Sequence, residues 1–231
     1  MNKILSSFSE AVADIPDSAV IMMDGFGGPG GMPQQLILAL RDHGARNLTI
    51  ISNTAGIPGF GAIGGELQVT HNILVENGQV KKIIASFPVA PSPSRPNAFE
   101  LAYREGKIEL ELVPQGTLAE RIRAGGAGIP AFYTPTGIMT PTTQDKETRN
   151  IEGRDYVLEY ALRAEYAFVR ALKADYMGNL VYEGTSRNFN VVMATAGHIT
   201  IAEVDDIVEP GELDPAAVVT QGIYIQRIVK R

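Results

Sequence analysis

Three strand-like segments, the continuously apolar Ala19–Met23 (AVIMM), then Leu48–Ser52 (LTIIS) and Gln79–Phe87 (QVKKIIASF), recur along the first half of the chain with helix-like stretches between them. Runs of this kind are buried on both faces, as the strands of a parallel sheet are, and parallel strands need a crossover between them. Gln34–His43 has helical spacing after the first run, with Gly44 placed to end it. A helix over Glu66–Glu76, ended at Asn77-Gly78, follows the second run, and one over Phe99–Glu105 follows the third. Ser7–Ile15, stopped by Pro16, opens the chain as a short helix, and Lys107–Val113 alternates polar and apolar residues as a fourth strand. The rhythm predicts an α/β fold: an open, largely parallel mixed sheet with helices on both faces and right-handed crossovers. Ligand loops then begin where the strands end, at Asp24, Asn53, Pro88 and Pro114.

The second half departs from this rhythm. Thr140–Leu162 reads as a polar hairpin turning near Glu152-Gly153, and Tyr166–Leu172, Val181–Glu183 and Ile199–Val204 read as strands. Gly128–Gly137 is too rich in Gly, Pro and Thr to predict regular structure, whereas Asp214-Pro215 has helix-start chemistry. No linker or fixed-period repeat divides the chain, so residues 1–231 are expected to form one domain.

Composition removes several classes of function. A net charge of −6 without a Lys/Arg run disfavours nucleic acid or an anionic membrane as partner. The chain has no cysteine, which excludes disulfides, thiolate nucleophiles and Cys-ligated metals together. Its three histidines, His43, His71 and His198, lack metal-ligand spacing, so no metal is expected, and His71 and His198 read as structural. No apolar run reaches the ~18 residues of a spanning helix, and the N-terminus turns acidic too soon for a signal peptide. A cytoplasmic protein is the expectation.

Two glycine-rich regions carry the candidate site. Gly25–Pro33 (GFGGPGGMP) follows a buried strand and opens a helix, a context in which bare N–H groups and the helix dipole can meet an anion. No Gly-Lys-Ser/Thr follows, and the acidic ribose reader of a dinucleotide site is absent. In Pro114–Gly137 (PQGTLAERIRAGGAGIPAFYTPTG), Thr117 and Glu120 form a capping-box pattern that starts a helix just after Gly116. Gln115 then lies at a strand-to-helix turn, its amide either capping the loop or hydrogen-bonding a substrate oxygen. Ser186-Arg187-Asn188-Phe189-Asn190 interrupts strand-like sequence and is read as tying loops together, with Arg187 left open.

A catalytic engine is missing. No GxSxG elbow, Ser-His-Asp set or flanked carboxylate pair can be assembled. Glu76-Asn77-Gly78 lies where a helix ends before a strand, at the edge away from the ligand loops, and reads as a turn; the glutamates of KIELELV read as the solvated face of an edge strand.

PQGTLAERIRAGGAGIPAFYTPTG, together with SNTAG at Ser52–Gly56, SRNFN at Ser186–Asn190 and the glycine loop after AVIMM, resembles the α (A-type) subunit of family I coenzyme A transferases of the succinyl-CoA:3-oxoacid and 3-oxoadipate type. The likeness spans nearly the whole chain. It implies a CoA-transferase-like fold and transfer of CoA from an acyl-CoA to a carboxylic acid, with coenzyme A thioester as substrate and no bound cofactor. It also implies that the nucleophilic glutamate is supplied by a separate β subunit, in a heterodimer or α2β2 heterotetramer. Carried onto this sequence, it gives Gln115 an orienting and oxyanion role, with Asn53, Gly25, Phe26, Gly30, Gly31, Gly125, Gly126 and Gly128 lining the substrate cleft. Asp24 and Thr54 stand where relatives carry a glycine and an asparagine, one extra residue precedes Gly31-Met32-Pro33, and the segment from Gly65 to Asn97 is unusually long and proline-rich. The contrasting readings are a non-catalytic acyl-CoA or carboxylate binding module and, by fold analogy alone, an isomerase needing a carboxylate base in the cleft.

Overall fold

The computed structural model describes residues 2–23, 31–57 and 69–231. In chain order its first half runs α1 (Phe8–Val12), β1 (Val20–Met23), α2 (Gln34–His43), β2 (Leu48–Ile51), α3 (Asn72–Glu76), β3 (Val80–Ala85), α4 (Ala98–Arg104), β4 (Glu109–Leu112) and α5 (Gln115–Gly126). The second half adds β5 (Ala131–Thr134), β6 (Thr148–Ile151), β7 (Arg154–Tyr160), β8 (Ala164–Asp175), β9 (Leu180–Val181), α6 (Asn190–Ala196), β10 (Gly197–Val208) and β11 (Arg227–Lys230).

The main sheet is ordered β11-β10-β8-β1-β2-β3-β4, every neighbouring pair parallel, with β9 antiparallel to β8. Alternation along the strands loads both faces. Ile21, Met23, Ile50, Ile83 and Phe168 pack under α1 to α4, whereas Met22, Ile51, Ile84 and Ala167 pack under α5 and α6. Strand order reverses between β1 and β8, and β2, β3 and β4 follow β1 in sequence on one side of that point. The expected layered α/β sheet is thus the observed one.

Several local expectations are corrected. Gly128–Gly137 is not irregular: β5 pairs with β7, and β7 with β6, in a separate three-stranded antiparallel sheet. Phe132 and Tyr133 suit a strand, and the flanking Pro130 and Pro135 lie just outside it, which hid the signal. The hairpin does turn at Glu152-Gly153, both with positive φ (53° and 81°) as a two-residue primed turn requires. α5 starts at Gln115 behind Pro114, not after Gly116, so no capping box forms: the buried Thr117 hydroxyl finds no partner among the described residues, and Glu120 pairs with Arg123 at 2.7 Å. The helix expected over Glu66–Glu76 is observed as Asn72–Glu76, residues 58–68 lying outside the described ones. α6 has little sequence signal because Asn-Val-Val-Met-Ala-Thr-Ala is poor in helix formers; Met193 and Ala196 form it by burial on the sheet.

The small sheet docks through a chain of charges. Lys82 on β3 meets Glu111 on β4 (2.9 Å), Glu111 meets Arg121 on α5 (2.8 Å), and Arg121 reaches the buried Glu159 of β7 (3.7 Å), which also holds Lys146 (2.6 Å). Glu111 therefore is not a solvated edge residue, although Glu109 is exposed.

Candidate active site at the carboxyl edge of the sheet

Three adjacent strands each deliver a polar side chain to one cleft. Asn53 follows β2, Ser86 follows β3, and Gln115 opens α5 after β4. By alternation with Ile51 and Ile84, Asn53 and Ser86 face the α5 side of the sheet. Gln115 Nε2 donates to Asn53 Oδ1 at 2.9 Å, and the Asn53 carbonyl accepts from the Ser86 and Phe87 amides at 3.1 and 2.8 Å. The cleft, of about 410 Å³, is lined by Asn53, Thr54, Ile57, Ser86, Phe87, Pro91 and Gln115. None of these is ionisable.

His71 braces the turn from behind. Its Nε2 lies 3.0 Å from the Thr54 carbonyl, which fixes the Nε2–H tautomer because a carbonyl only accepts. The ring is fully buried, and desolvation pushes its pKa down to about 4. His71 is therefore structural as expected, but its Nδ1 finds no partner among the described residues. His198, in contrast, is exposed.

The N-terminus of α2 does not wait for a substrate anion. Glu203 of β10 accepts from the Gln35 and Leu36 amides at 2.8 and 3.1 Å, replacing the side-chain cap that Pro33 cannot give. Burial pushes the Glu203 carboxyl up to about 7, against those N–H bonds and the cations of Arg170 and Arg231. Beside it, Asn190 donates to the carbonyls of Gly31 (2.8 Å) and Ser186 (2.9 Å) and accepts from the Arg170 amide. Ser186–Asn190 accordingly ties loops together, while Arg187 is exposed.

Comparison with known proteins fits this arrangement. The family profile described as coenzyme A transferase matches residues 5–231. The chain belongs to the coenzyme A transferase family. It is 48% identical over 229 residues to the A-type subunit of the probable succinyl-CoA:3-ketoacid coenzyme A transferase of Bacillus subtilis, covering 99% of this chain and 90% of that one. It is also 48% identical to the A-type subunit of the 3-oxoadipate CoA-transferase of Pseudomonas putida, covering 99% and 94%. Among solved structures, an Escherichia coli O157:H7 acyl-CoA transferase in a thioester complex with CoA matches with TM-score 0.79 and 25% identity, covering 100% of this chain and 47% of that one. Glutaconate coenzyme A-transferase from Acidaminococcus fermentans shares the fold, with TM-score 0.81 at 19% identity over 99% of this chain and 75% of that one.

Within this coenzyme A transferase chain, the structure brings together only some of the residues singled out from sequence. Asn53 and Gln115 meet at the cleft. Gly31 is buried with its carbonyl held by Asn190, whereas Gly25, Phe26, Gly30 and Asp24 lie outside the described residues. Gly125 and Gly126 are at the far end of α5, about 15 Å from Gln115 at 1.5 Å per residue, and Gly128 lies just beyond it. A Cβ on Gly125 would come within 1.9 Å of the Leu162 carbonyl oxygen, and one on Gly126 within 2.1 Å of Thr195 Oγ1. Gly125 and Gly126 permit close packing of α5, whereas Gly128 faces open space with a φ of 75°, and none of the three lines the cleft around Asn53 and Gln115. Glu76 sits at the end of α3, held by Asn72 Nδ2 at 2.6 Å, and Gly78 turns the chain with φ 68°. Sequence reasoning missed Ser86, Phe87, Ile57 and Pro91; the available signal was positional, since Ser86-Phe87 ends the third apolar run as Asn53 follows the second. Among the described residues no His/Cys/Asp/Glu group could hold a metal ion, and no helix is long and apolar enough to cross a membrane.

Proposed function

We propose that this chain is the α (A-type) subunit of a CoA-transferase of the succinyl-CoA:3-oxoacid type, working in the cytoplasm as a heterodimer or α2β2 heterotetramer with a separate β subunit, and that its 231 residues form one domain. The observation that carries the reading is the Asn53–Gln115 amide pair in a cleft whose described lining holds no carboxylate. Such a cleft can bind and polarise a carboxylate or thioester, and because its described lining offers no carboxylate nucleophile the reading assigns that group to a partner.

In this reading a glutamate of the partner attacks the acyl carbon of the thioester. The CoA thiolate leaves and a mixed acyl anhydride forms. The thiolate then attacks the glutamyl carbonyl carbon, the first acid departs as carboxylate, and a glutamyl-CoA thioester remains; the second acid runs the sequence in reverse. Each attack places negative charge on a carbonyl oxygen. Gln115 uses one Nε2–H on Asn53, which sets the plane of its amide, and has a second for that oxygen. The same pair orients the incoming carboxylate.

The test is reconstitution. Transfer should appear when this chain is mixed with the β subunit, and in neither chain alone. In the complex, Gln115→Ala should lower turnover by about 10²-fold, the scale of a lost oxyanion donor, without lowering the melting temperature. Unchanged turnover would return Gln115 to a loop-capping role, and transfer by the isolated chain would remove the need for a partner.

A further inference from the structure

Ser86 lines the cleft between Asn53 and Gln115, its Oγ is buried, and it finds no hydrogen-bond partner among the described residues. A buried hydroxyl without a partner is costly, so one retained in a ligand cleft calls for an acceptor that arrives with the ligand. Geometry narrows which acceptor. Asn53 and Gln115 are bonded to each other, and Ser86 projects from the neighbouring strand on the same face, about 4.8 Å across the sheet from the Asn53 strand. An acid whose carboxylate sits on the amide pair thus brings Ser86 a part of its chain a few ångströms from the reacting carbon. The rest of the described lining is Ile57, Phe87 and Pro91, which carry no side-chain donor, and Thr54, whose Oγ1 accepts from the Gly56 amide at 3.2 Å.

Building on the cleft assignment made under the proposed function, we propose that the Ser86 hydroxyl contacts substrate and determines specificity, donating a hydrogen bond to a carbonyl oxygen carried on the acid's chain beside its reacting carboxylate. Acids with such an oxygen, of which a 3-oxo acid is the simplest, gain this bond. An unsubstituted acid of equal length leaves the hydroxyl orphaned. The same residue then has opposite effects on folding and on catalysis: removing Oγ relieves the empty protein of an unsatisfied group but deprives the bound 3-oxo acid of a donor.

The experiment uses the complex reconstituted from this chain and its β subunit, with two acceptors, 3-oxobutanoate and butanoate. Ser86→Ala should lower kcat/KM for 3-oxobutanoate roughly five- to tenfold, change that for butanoate less than twofold, and leave the melting temperature equal or higher. Ser86→Thr, which keeps the hydroxyl, should retain the preference, and Ser86→Val, of similar bulk, should lose it. Gln115→Ala serves as the reference and should slow both acids alike. If Ser86→Ala slows both acids equally, or neither, or lowers the melting temperature by several degrees with the preference intact, the assignment of Ser86 is overturned while the cleft assignment stands. If Gln115→Ala slows neither acid, the cleft assignment itself fails and takes the Ser86 inference with it.

Discussion

Replacing Glu203 with Gln should invert part of the pH dependence of stability. The carboxyl is fully buried, caps the first turn of α2 and has its pKa raised from 4.5 to about 7. Between those values the folded protein holds a proton that the unfolded chain has released, so Glu203's contribution is complete below pH 4.5, falls as pH rises, and is gone above 7. At 1.36 kcal/mol per pH unit the window is worth about 3 kcal/mol. An amide of the same shape can still accept from Gln35 and Leu36 but does not ionise. Urea unfolding suits the measurement, because an ionic denaturant would screen Arg170 and Arg231 beside the carboxylate. From pH 5 to pH 8 the wild-type protein should lose about 3 kcal/mol relative to Glu203→Gln, with unchanged m-values, and the variant should be the more stable protein at pH 8. A pH-independent difference would mean that Glu203 enters the fold ionised and that the two arginines outweigh its burial.

His71 supplies the mirror image. Its pKa, lowered from 6.5 to about 4, gives stability that is complete above pH 6.5 and lost as pH falls through 4, so in the wild type it offsets Glu203 across much of the acid range. His71→Gln, which keeps a donor for the Thr54 carbonyl, should unmask the Glu203 slope in the same urea series; no steepening would contradict the buried neutral ring. Gly125→Ala should cost about 2–3 kcal/mol by overpacking against Leu162, whereas Gly128→Ala, with open space but a φ of 75°, should cost about 1 kcal/mol. Thermal melting of both separates close packing from turn geometry, and equal melting temperatures would refute the packing role.

The parallel half of the fold was legible because its strands are buried on both faces: AVIMM and LTIIS cannot be surface strands, and Gln34–His43 with Gly44 states its own boundaries. The elements without a sequence signal depend on tertiary partners. β5 exists because β7 pairs with it, and α6 because Met193 and Ala196 cover the sheet. At the site, Asn53 and Gln115 could be found because each follows a strand end, yet that they bond to each other is a fact of sheet order. Glu203 was invisible for the same reason: nothing local to β10 says that the start of α2, 167 residues earlier, will rest on it. At the α5 glycines the sequence is silent for a related reason: a glycine that admits a ligand and one that admits a neighbouring backbone look alike in sequence, and only the position of Leu162 reveals the packing role of Gly125.

The most direct measurement is chemical trapping of the covalent intermediate. The reconstituted complex is incubated with acyl-CoA, the glutamyl thioester is captured with borohydride or hydroxylamine, and the modified residue is located by mass spectrometry of both chains. If the reactive carboxylate is borrowed, the modification falls on a glutamate of the partner and this chain stays unmodified. A captured residue in this chain, whether Glu76, Glu203 or any other, would show that it carries its own nucleophile.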